Sequence, residues 1–425
     1  MNKEKNIPIT AIVIGAGARG WAYANYAYAN PDKLKIVGVA EPIEHVRNEF
    51  AKMHNIPTEG IFTTWEDVFK GDKLADTVLI CTQDNMHYGP AMAAIERGYD
   101  ILLEKPISPI PRECTEIANA AKAKGVKVIV CHVLRYTPFF SKIKSIIEQG
   151  EIGDIVSMVH NENVGFMHHA HSFVRGNWRK ATESSPMILA KSCHDVDIIQ
   201  WLIEKKCLKV SSFGSLKYFN QDNCPKDAPM RCTDGCGHDC AFDARKWYLP
   251  GGPSDYIAKS WFAPIATQTL NPTNEQIEHA LKTGPYGRCV FQCDNDVVDH
   301  QVVNMEFEDG VTVAFSMCSF THDISRTLRI MGTKGEIRGN MEEDIVIAYD
   351  FVNNTKRQVS IDHIEGHVGH GGGDTGIMES FCEYIMGDYK GNALSEIGIS
   401  ADNHMISFAA EESRVRGGKV ITLTK

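Results

Sequence analysis

Ala11-Ile12-Val13-Ile14-Gly15-Ala16-Gly17-Ala18-Arg19-Gly20, running into Trp21-Ala22-Tyr23-Ala24-Asn25-Tyr26-Ala27-Tyr28-Ala29, reads as a buried strand, a glycine turn and a helix. The four residues before Gly15 are apolar and rich in Ile and Val, after a polar start over 2–6, which suits a short strand packed on both faces. Gly15, Gly17 and Gly20 complete a G-x-G-x-x-G. The first glycine permits the tight turn. The second lets a pyrophosphate approach the backbone, and the third lets helix and strand lie close. The helix start then offers unpaired N–H groups and a positive dipole end to phosphate. Ala18 and Arg19 lie in the same turn and join its glycines as candidate contacts.

A glycine turn gains meaning from the strand after its helix. Leu34-Lys35-Ile36-Val37-Gly38-Val39-Ala40 predicts that second strand, and Glu41 ends it. A carboxylate there accepts both ribose hydroxyls of a dinucleotide and repels a 2′-phosphate. The expected cofactor is therefore NAD rather than NADP.

Further along, helices are expected over 44–54, 88–97 and 111–124, with Pro111 opening the last and Gly125 following it. Strands are expected over 60–64, 76–82, 100–103 and 126–131. This alternation on short loops predicts an α/β, doubly wound parallel sheet of the Rossmann type over residues 1–135. Ligands bind beyond the carboxyl ends of such strands. Thr82, Asn85, His87, Glu104 and Lys105 stand at those ends and are candidate cofactor contacts. In Glu104-Lys105-Pro106 the lysine is also placed to hydrogen-bond a substrate hydroxyl, stabilise a developing alkoxide or relay a proton.

The pattern changes near Tyr136. After a helix over 138–149, strand-like segments dominate: 155–160, 210–218, 298–307, 311–319, 326–331, 336–339, 344–350 and 357–361. Several alternate apolar and polar residues, as an antiparallel sheet with one wet face does. Asp309-Gly310 between two such runs is a hairpin turn. Helices over 375–387 and 399–416 and a strand over 419–423 close the chain. Residues 136–425 are expected to form a second, α+β domain.

That half holds the second candidate cluster. In Lys191-Ser192-Cys193-His194-Asp195-Val196-Asp197-Ile198-Ile199-Gln200-Trp201-Leu202, His194, Asp197 and Trp201 share a helix face, with Lys191 one turn earlier. A histidine near a carboxylate at a helix start is a candidate general base, and a satisfied core histidine fits the same spacing. Arg135, His169, Arg179, Asp197 and His370 are further candidate substrate contacts, in segments mixing histidine, arginine and aromatics. The group His168, His169 and His171 has no acid or cysteine beside it at helical spacing, so it is not read as a metal site.

Cys224, Cys232, Cys236 and Cys240 cluster within an insertion at about 220–245, rich in Pro, Gly and Asp. Such a segment has little core of its own, and a structural zinc bound by four thiolates would order it. Reduced thiols in a loop are the alternative. The remaining cysteines are scattered and the total of 13 is odd, which argues against a disulfide framework.

The chain has 425 residues and a net charge of −10, with no block of like charges. Nucleic acid and acidic membrane surfaces are unexpected partners. No apolar run is long enough to span a bilayer and no leader is visible, so a cytoplasmic protein is expected.

Gly15-x-Gly17-x-x-Gly20, Glu104-Lys105-Pro106 and His194-x-x-Asp197-x-x-x-Trp201-Leu202, in this order, resemble the glucose–fructose oxidoreductase / inositol dehydrogenase (Gfo/Idh/MocA) family over nearly the whole chain. The resemblance implies a Rossmann domain followed by an α/β domain with an open, mostly antiparallel sheet, whose face often supports a homodimer or homotetramer. It implies hydride transfer between NAD(P) and a sugar-like or cyclitol hydroxyl, with Lys105 and His194 as the family's catalytic pair. One position departs from the pattern. Many members carry an aspartate four residues before the histidine, and here that place is Ala190, followed by Lys191. Either His194 works with Lys105 alone, or Lys191 joins the site and favours an anionic substrate such as a sugar acid. The expected activity is an NAD-dependent dehydrogenase acting on CH–OH groups of a sugar, sugar acid or cyclitol. A glycosidase working by transient oxidation with tightly bound NAD uses nearly the same residues, and an NAD-responsive sensor is the non-catalytic alternative.

Overall fold

The structure, a computed structural model, describes residues 7–423; the polar start over 2–6 lies outside them. β1 (Ile9–Ile14), β2 (Leu34–Ala40), β3 (Ile61–Phe62), β4 (Thr77–Ile80), β5 (Asp100–Leu103) and β6 (Val128–Val130) form one sheet in the order β3-β2-β1-β4-β5-β6. Every pair in it is parallel. Helices α1 (Ala18–Ala29), α2 (Glu44–Met53), α3 (Tyr88–Glu96) and α4 (Pro111–Lys124) connect the strands. Ile12 and Val13 are fully buried, as a parallel strand covered on both faces requires. α4 starts on Pro111 and ends at Gly125 in the left-handed conformation, φ 72°, as its sequence predicts. The strand order reverses between β1 and β4, and the crevice beyond their carboxyl ends is where a sheet of this order takes its ligand.

The second sheet has nine strands: β7 (Ile155–Asn163), β8 (Cys207–Ser215), β9 (His300–Phe307), β10 (Thr312–Cys318), β11 (Ser325–Gly332), β12 (Gly335–Asn340), β13 (Ile345–Asp350), β14 (Thr355–Val359) and β15 (Ile421–Thr422). Their order is β14-β13-β12-β11-β7-β10-β9-β8-β15. All pairs are antiparallel except β10 with β7. β9 and β10 form the expected hairpin, turning at Asp309 (φ 56°) and Gly310 (φ 75°).

Five further helices complete the frame: α5 (Pro138–Glu148), α6 (Cys193–Ile203), α7 (Asn274–Thr283), α8 (Gly373–Met386) and α9 (Ile397–Val415). One face of the large sheet buries Phe315 and Ile330 against Phe140 and Ile143 of α5, Ile199 and Leu202 of α6 and Ile406 of α9. α8 and α9 also return to the first sheet. Ile377, Met378 and Phe381 pack with Val13 and Tyr23, and Ile397 and Ala401 pack with Ile117 and Val130. The Rossmann core is thus completed from the far end of the chain, and this brings residues 369–374 over the glycine turn.

The segment between β8 and β9 does have a core, contrary to its composition. Phe219, Phe242, Tyr248, Phe262, Ile277, Leu281, Tyr286 and Phe291 close around Met167, Ala170 and Val174. Most of that cluster comes from outside the cysteine-rich stretch, so reading the stretch alone misses it.

Candidate active site

The glycine turn runs as its sequence demands. Gly15 has φ 91° and donates to Ala40 O at 2.9 Å. A Cβ on Gly20 would lie 2.2 Å from Gly15 O, so helix and strand touch backbone to backbone there. A Cβ on Gly17 would meet nothing within 4 Å. Protein packing therefore does not require glycine at 17, and the bare backbone there leaves room for a phosphate to approach. Glu41 is buried at the end of β2, and its carboxylate accepts from Ala16 N (2.9 Å) and Ile43 N (3.0 Å). The buried hydroxyl of Thr82, on the other side of the crevice, has no hydrogen-bond partner. The cradle, the acid at the ribose position and an orphaned hydroxyl at the switch point all fit a dinucleotide.

Arg19 is the hub of the turn. Its Nε donates to Glu104 Oε1 at 2.8 Å, and Nη1 and Nη2 donate to the two oxygens of Asp374 at 3.0 and 2.8 Å. Tyr23 OH also donates to Glu104 Oε1, at 2.6 Å. Burial alone would raise both carboxyls. Arg19 outweighs it, holding Glu104 below the usual carboxylate range and Asp374 well below it. Glu104 in turn accepts from Lys105 N at 2.9 Å and so sets the backbone from which Lys105 projects.

Lys105 Nζ crosses the cleft and donates to Ala190 O at 2.6 Å. This carbonyl belongs to the position where the related pattern has its aspartate. Four residues on, His194 lies 5% exposed at the start of α6, with its Nδ1 buried and unpartnered. Burial pushes its imidazole well below the usual histidine range, and the Lys105 charge pushes it further. The ring packs near His132 at 5.9 Å and His370 at 6.2 Å between centroids. Lys191 turns to another partner, its ammonium 3.7 Å from Glu162. Glu162 contacts Arg326, which also reaches Asp195 at 3.1 Å. Burial lowers the Lys191 ammonium to about 8 and raises the Glu162 carboxyl.

Other expected contacts are already occupied. Arg135 makes a two-point pair with Asp197, both bonds 2.7 Å, and both residues are fully buried. Asn403 takes a further bond to Asp197 at 2.6 Å. The pair pins the end of the Rossmann sheet to α6 and offers a sugar nothing. His169 stacks between Phe173 and Phe219, with Nδ1 2.7 Å from Ser319 Oγ. It belongs to the inserted core. Its neighbour His168 instead lies in the field of Lys191 and Arg326, edge-on to Trp261 at 4.6 Å. Arg179 is bound to Asp294 at 2.9 Å and to Glu183 at 3.1 Å. His87 is buried with its ring between the carbonyls of Pro106 (2.7 Å) and Thr82 (3.1 Å), and Asn85 donates to Glu183 O at 3.2 Å. Both hold loops around the crevice.

Two profiles divide the chain where the two sheets divide it. "Oxidoreductase family, NAD-binding Rossmann fold" matches residues 9–132, and "Oxidoreductase family, C-terminal alpha/beta domain" matches 144–391. The chain belongs to the Gfo/Idh/MocA oxidoreductase family. Among its relatives, the putative oxidoreductase YteT of Bacillus subtilis is 25% identical over 78% of this chain and 77% of its own length. An inositol 2-dehydrogenase of Corynebacterium glutamicum is 26% identical over 47% of this chain and 55% of its own. A levoglucosan dehydrogenase solved with NADH and L-sorbose shares the fold, with a TM-score of 0.70 at 18% identity over 98% of this chain and 99% of that one.

Of the two readings of the cysteine stretch, structural zinc and reduced thiols in a loop, the zinc reading is not supported. Among the described residues no group of three or more His, Cys, Asp and Glu is placed to hold a metal ion. Cys232 accepts from Arg175 Nη2 at 3.7 Å and Cys240 from Phe242 N at 3.4 Å. With Cys236 and Cys289 they line a cavity of about 20 Å³, room for one water. Aromatic packing does the ordering assigned to the metal. Sequence reasoning also missed Asp374, Glu162 and Arg326. A signal existed for Asp374, which stands four residues after His370 where a helix begins. Glu162 and Arg326 carry none, because they meet only as facing residues of β7 and β11.

Proposed function

We propose that the protein is an NAD-dependent dehydrogenase acting on a CH–OH group of a sugar, sugar acid or cyclitol. The observation that carries this reading is Lys105 Nζ, held 2.6 Å from Ala190 O beyond the end of β5, with its charge felt by His194 across the cleft. A hydroxyl entering that space meets an ammonium that stabilises developing alkoxide and a neutral imidazole that accepts a hydrogen bond. When bound, the nicotinamide supplies the hydride acceptor. Gly15, Gly17, Ala18, Arg19 and Gly20 form its phosphate turn, and Glu41 favours NAD over NADP. Lys191 adds a cation near the same space and supports a substrate carrying an acid. The inositol and levoglucosan dehydrogenases among the relatives support the polyol class.

No helix of the described residues is long and apolar enough to cross a membrane. The uncovered face of the large sheet exposes Val159, Phe213 and Val302 and suits a homodimer or homotetramer. The test is NADH formation with NAD and a panel of aldoses, uronates and inositols. Oxidation abolished in Lys105→Ala supports the reading. Oxidation unaffected by Lys105→Ala removes it.

A further inference from the structure

A buried carboxylate that the proposed chemistry does not use stands beside the crevice. Asp84 follows Thr82 by two residues beyond the carboxyl end of β4. Its Oδ1 accepts from Trp178 Nε1 at 2.9 Å. Its Oδ2 accepts from the hydroxyl of Ser184 at 2.9 Å and from that of Ser185, and both serines are buried with it. The next residue, Asn85, donates to Glu183 O at 3.2 Å. A Rossmann strand end thus holds the loop 178–185 of the second domain near both of its ends.

That loop is a strap tied on both sides. Its outer side is bound to the insertion, Ala181 N donating to Asp296 Oδ1 at 2.7 Å and Asp296 N to Arg179 O at 2.9 Å. Past Ser185 it turns at Pro186 into the short helix Met187–Ala190, whose last carbonyl holds Lys105. A second bridge between the domains crosses at the ribose end. There His45, four residues after Glu41, donates from Nε2 to Gln268 O at 3.0 Å. β1 lies between β2 and β4 in the sheet. The glycine turn that follows β1 is therefore flanked by a bridge on each side, one beyond β2 and one beyond β4.

We infer that the strap gates cofactor exchange: NADH leaves only after Asp84 lets go of Trp178, Ser184 and Ser185. The inference rests on the NAD reading of the crevice and goes beyond it, since it assigns the release step to residues outside the phosphate turn and the Lys105 cluster. Opening makes and breaks no covalent bond. It exchanges hydrogen bonds to a buried carboxylate for hydrogen bonds to water. Bonds to an ionised acceptor are stronger than those to a neutral one, and here three donors must separate together. Opening is therefore slow, and loop opening of this kind limits turnover in many enzymes. The strap also runs directly into Ala190, so the carbonyl that fixes Lys105 is in place while the strap is fastened. Asp84 is a positioning residue, acting through the loop it holds.

Stopped-flow exchange tests this. Protein loaded with NADH is mixed with excess NAD, and the decay of bound NADH fluorescence gives the release rate. Asp84→Ala should release NADH about 10–100-fold faster, the factor that one lost hydrogen bond to a charged group supplies. Ser184→Ala combined with Ser185→Ala opens the same clasp from the other side and should act alike; it decides the matter if Asp84→Ala does not fold. Adding it to Asp84→Ala should change the rate little further, since both remove one shared set of bonds. An unchanged release rate in either folded variant overturns the inference, even where the melt is lowered, because a purely structural Asp84 moves Tm and leaves release alone. The assay needs no substrate. If the wild type binds no NADH, the dinucleotide reading itself falls and the gate falls with it. If it binds NADH and the variants release it no faster, only the gate falls.

Discussion

Gly17 and Gly20 stand three residues apart in one turn, and their substitution by alanine should fail in opposite ways. At Gly20 the new methyl lies 2.2 Å from Gly15 O and 3.2 Å from Val13 Cγ1. Backbone must move, and overpacking of this kind costs about 1–3 kcal/mol or more. At Gly17, φ −76° and ψ −168° suit any residue, and nothing lies within 4 Å of the added methyl. Stability should change by less than about 1 kcal/mol, with a gain expected from the stiffer unfolded chain. The methyl instead occupies the approach of the pyrophosphate. Losing one charge-assisted hydrogen bond to phosphate costs about 1.5–3 kcal/mol, which is about 10–150-fold in Kd. For a cooperative unit of this length 1 kcal/mol is about 1 °C in Tm. Calorimetric titration with NAD and a thermal melt of each variant give the two readings. Gly17→Ala should melt like the wild type and bind NAD at least tenfold more weakly, while Gly20→Ala should melt about 1–3 °C lower or more. An unchanged Kd in Gly17→Ala, or a melt as low as that of Gly20→Ala, would refute the cofactor-cradle argument.

Glu41→Ala should weaken NAD about tenfold or more and erase most discrimination against NADP, because the ribose hydroxyls lose a charged acceptor and the 2′-phosphate loses its repulsion; retained NAD preference would assign the choice elsewhere. Asp197→Asn leaves the Arg135 guanidinium buried without a counter-charge and should cost about 3–5 kcal/mol, read as a Tm lower by about 3–5 °C. A normal melt with a raised KM would make the pair a substrate contact instead. Acid should unfold the protein early. Burial holds His132 at about 4 and His169, His171 and His404 at about 3, against an ordinary 6.5. Below pH 6.5 the unfolded chain therefore takes up protons first, so stability present at neutral pH is lost as pH falls from 6.5 toward 4. Each group contributes about 2 kcal/mol by pH 5. A Tm that is flat between about pH 7 and pH 5 contradicts this.

The glycine turn, the parallel alternation up to β6, the hairpin at Asp309-Gly310 and the antiparallel character of the second sheet are all written in local patterns. Each depends on backbone preference and side-chain periodicity within a dozen residues, and those forces act the same way whatever lies across the fold. Lys105 and His194 are legible for a related reason, since a strand end or a helix start places a side chain within narrow limits. Assignments that depend on a partner behave differently. Arg135 looks available for substrate in the sequence, yet its carboxylate stands 62 residues away. His169 and His168 are neighbours in sequence, and about a quarter-turn of helix sends one into the aromatic core and the other toward Lys191. The cysteine stretch looks coreless because its packing partners come from 167–174 and 262–291.

Sequence alone therefore establishes the two sheets, the dinucleotide turn and the lysine and histidine that flank its crevice. Tertiary structure decides which charges are consumed in packing and which are left for chemistry. Arg19 and Asp374 are 355 residues apart and join only because α8 folds back over the first sheet. Hydrogen bonds of that kind are set by hydrophobic surfaces closing on one another, and no local pattern records them.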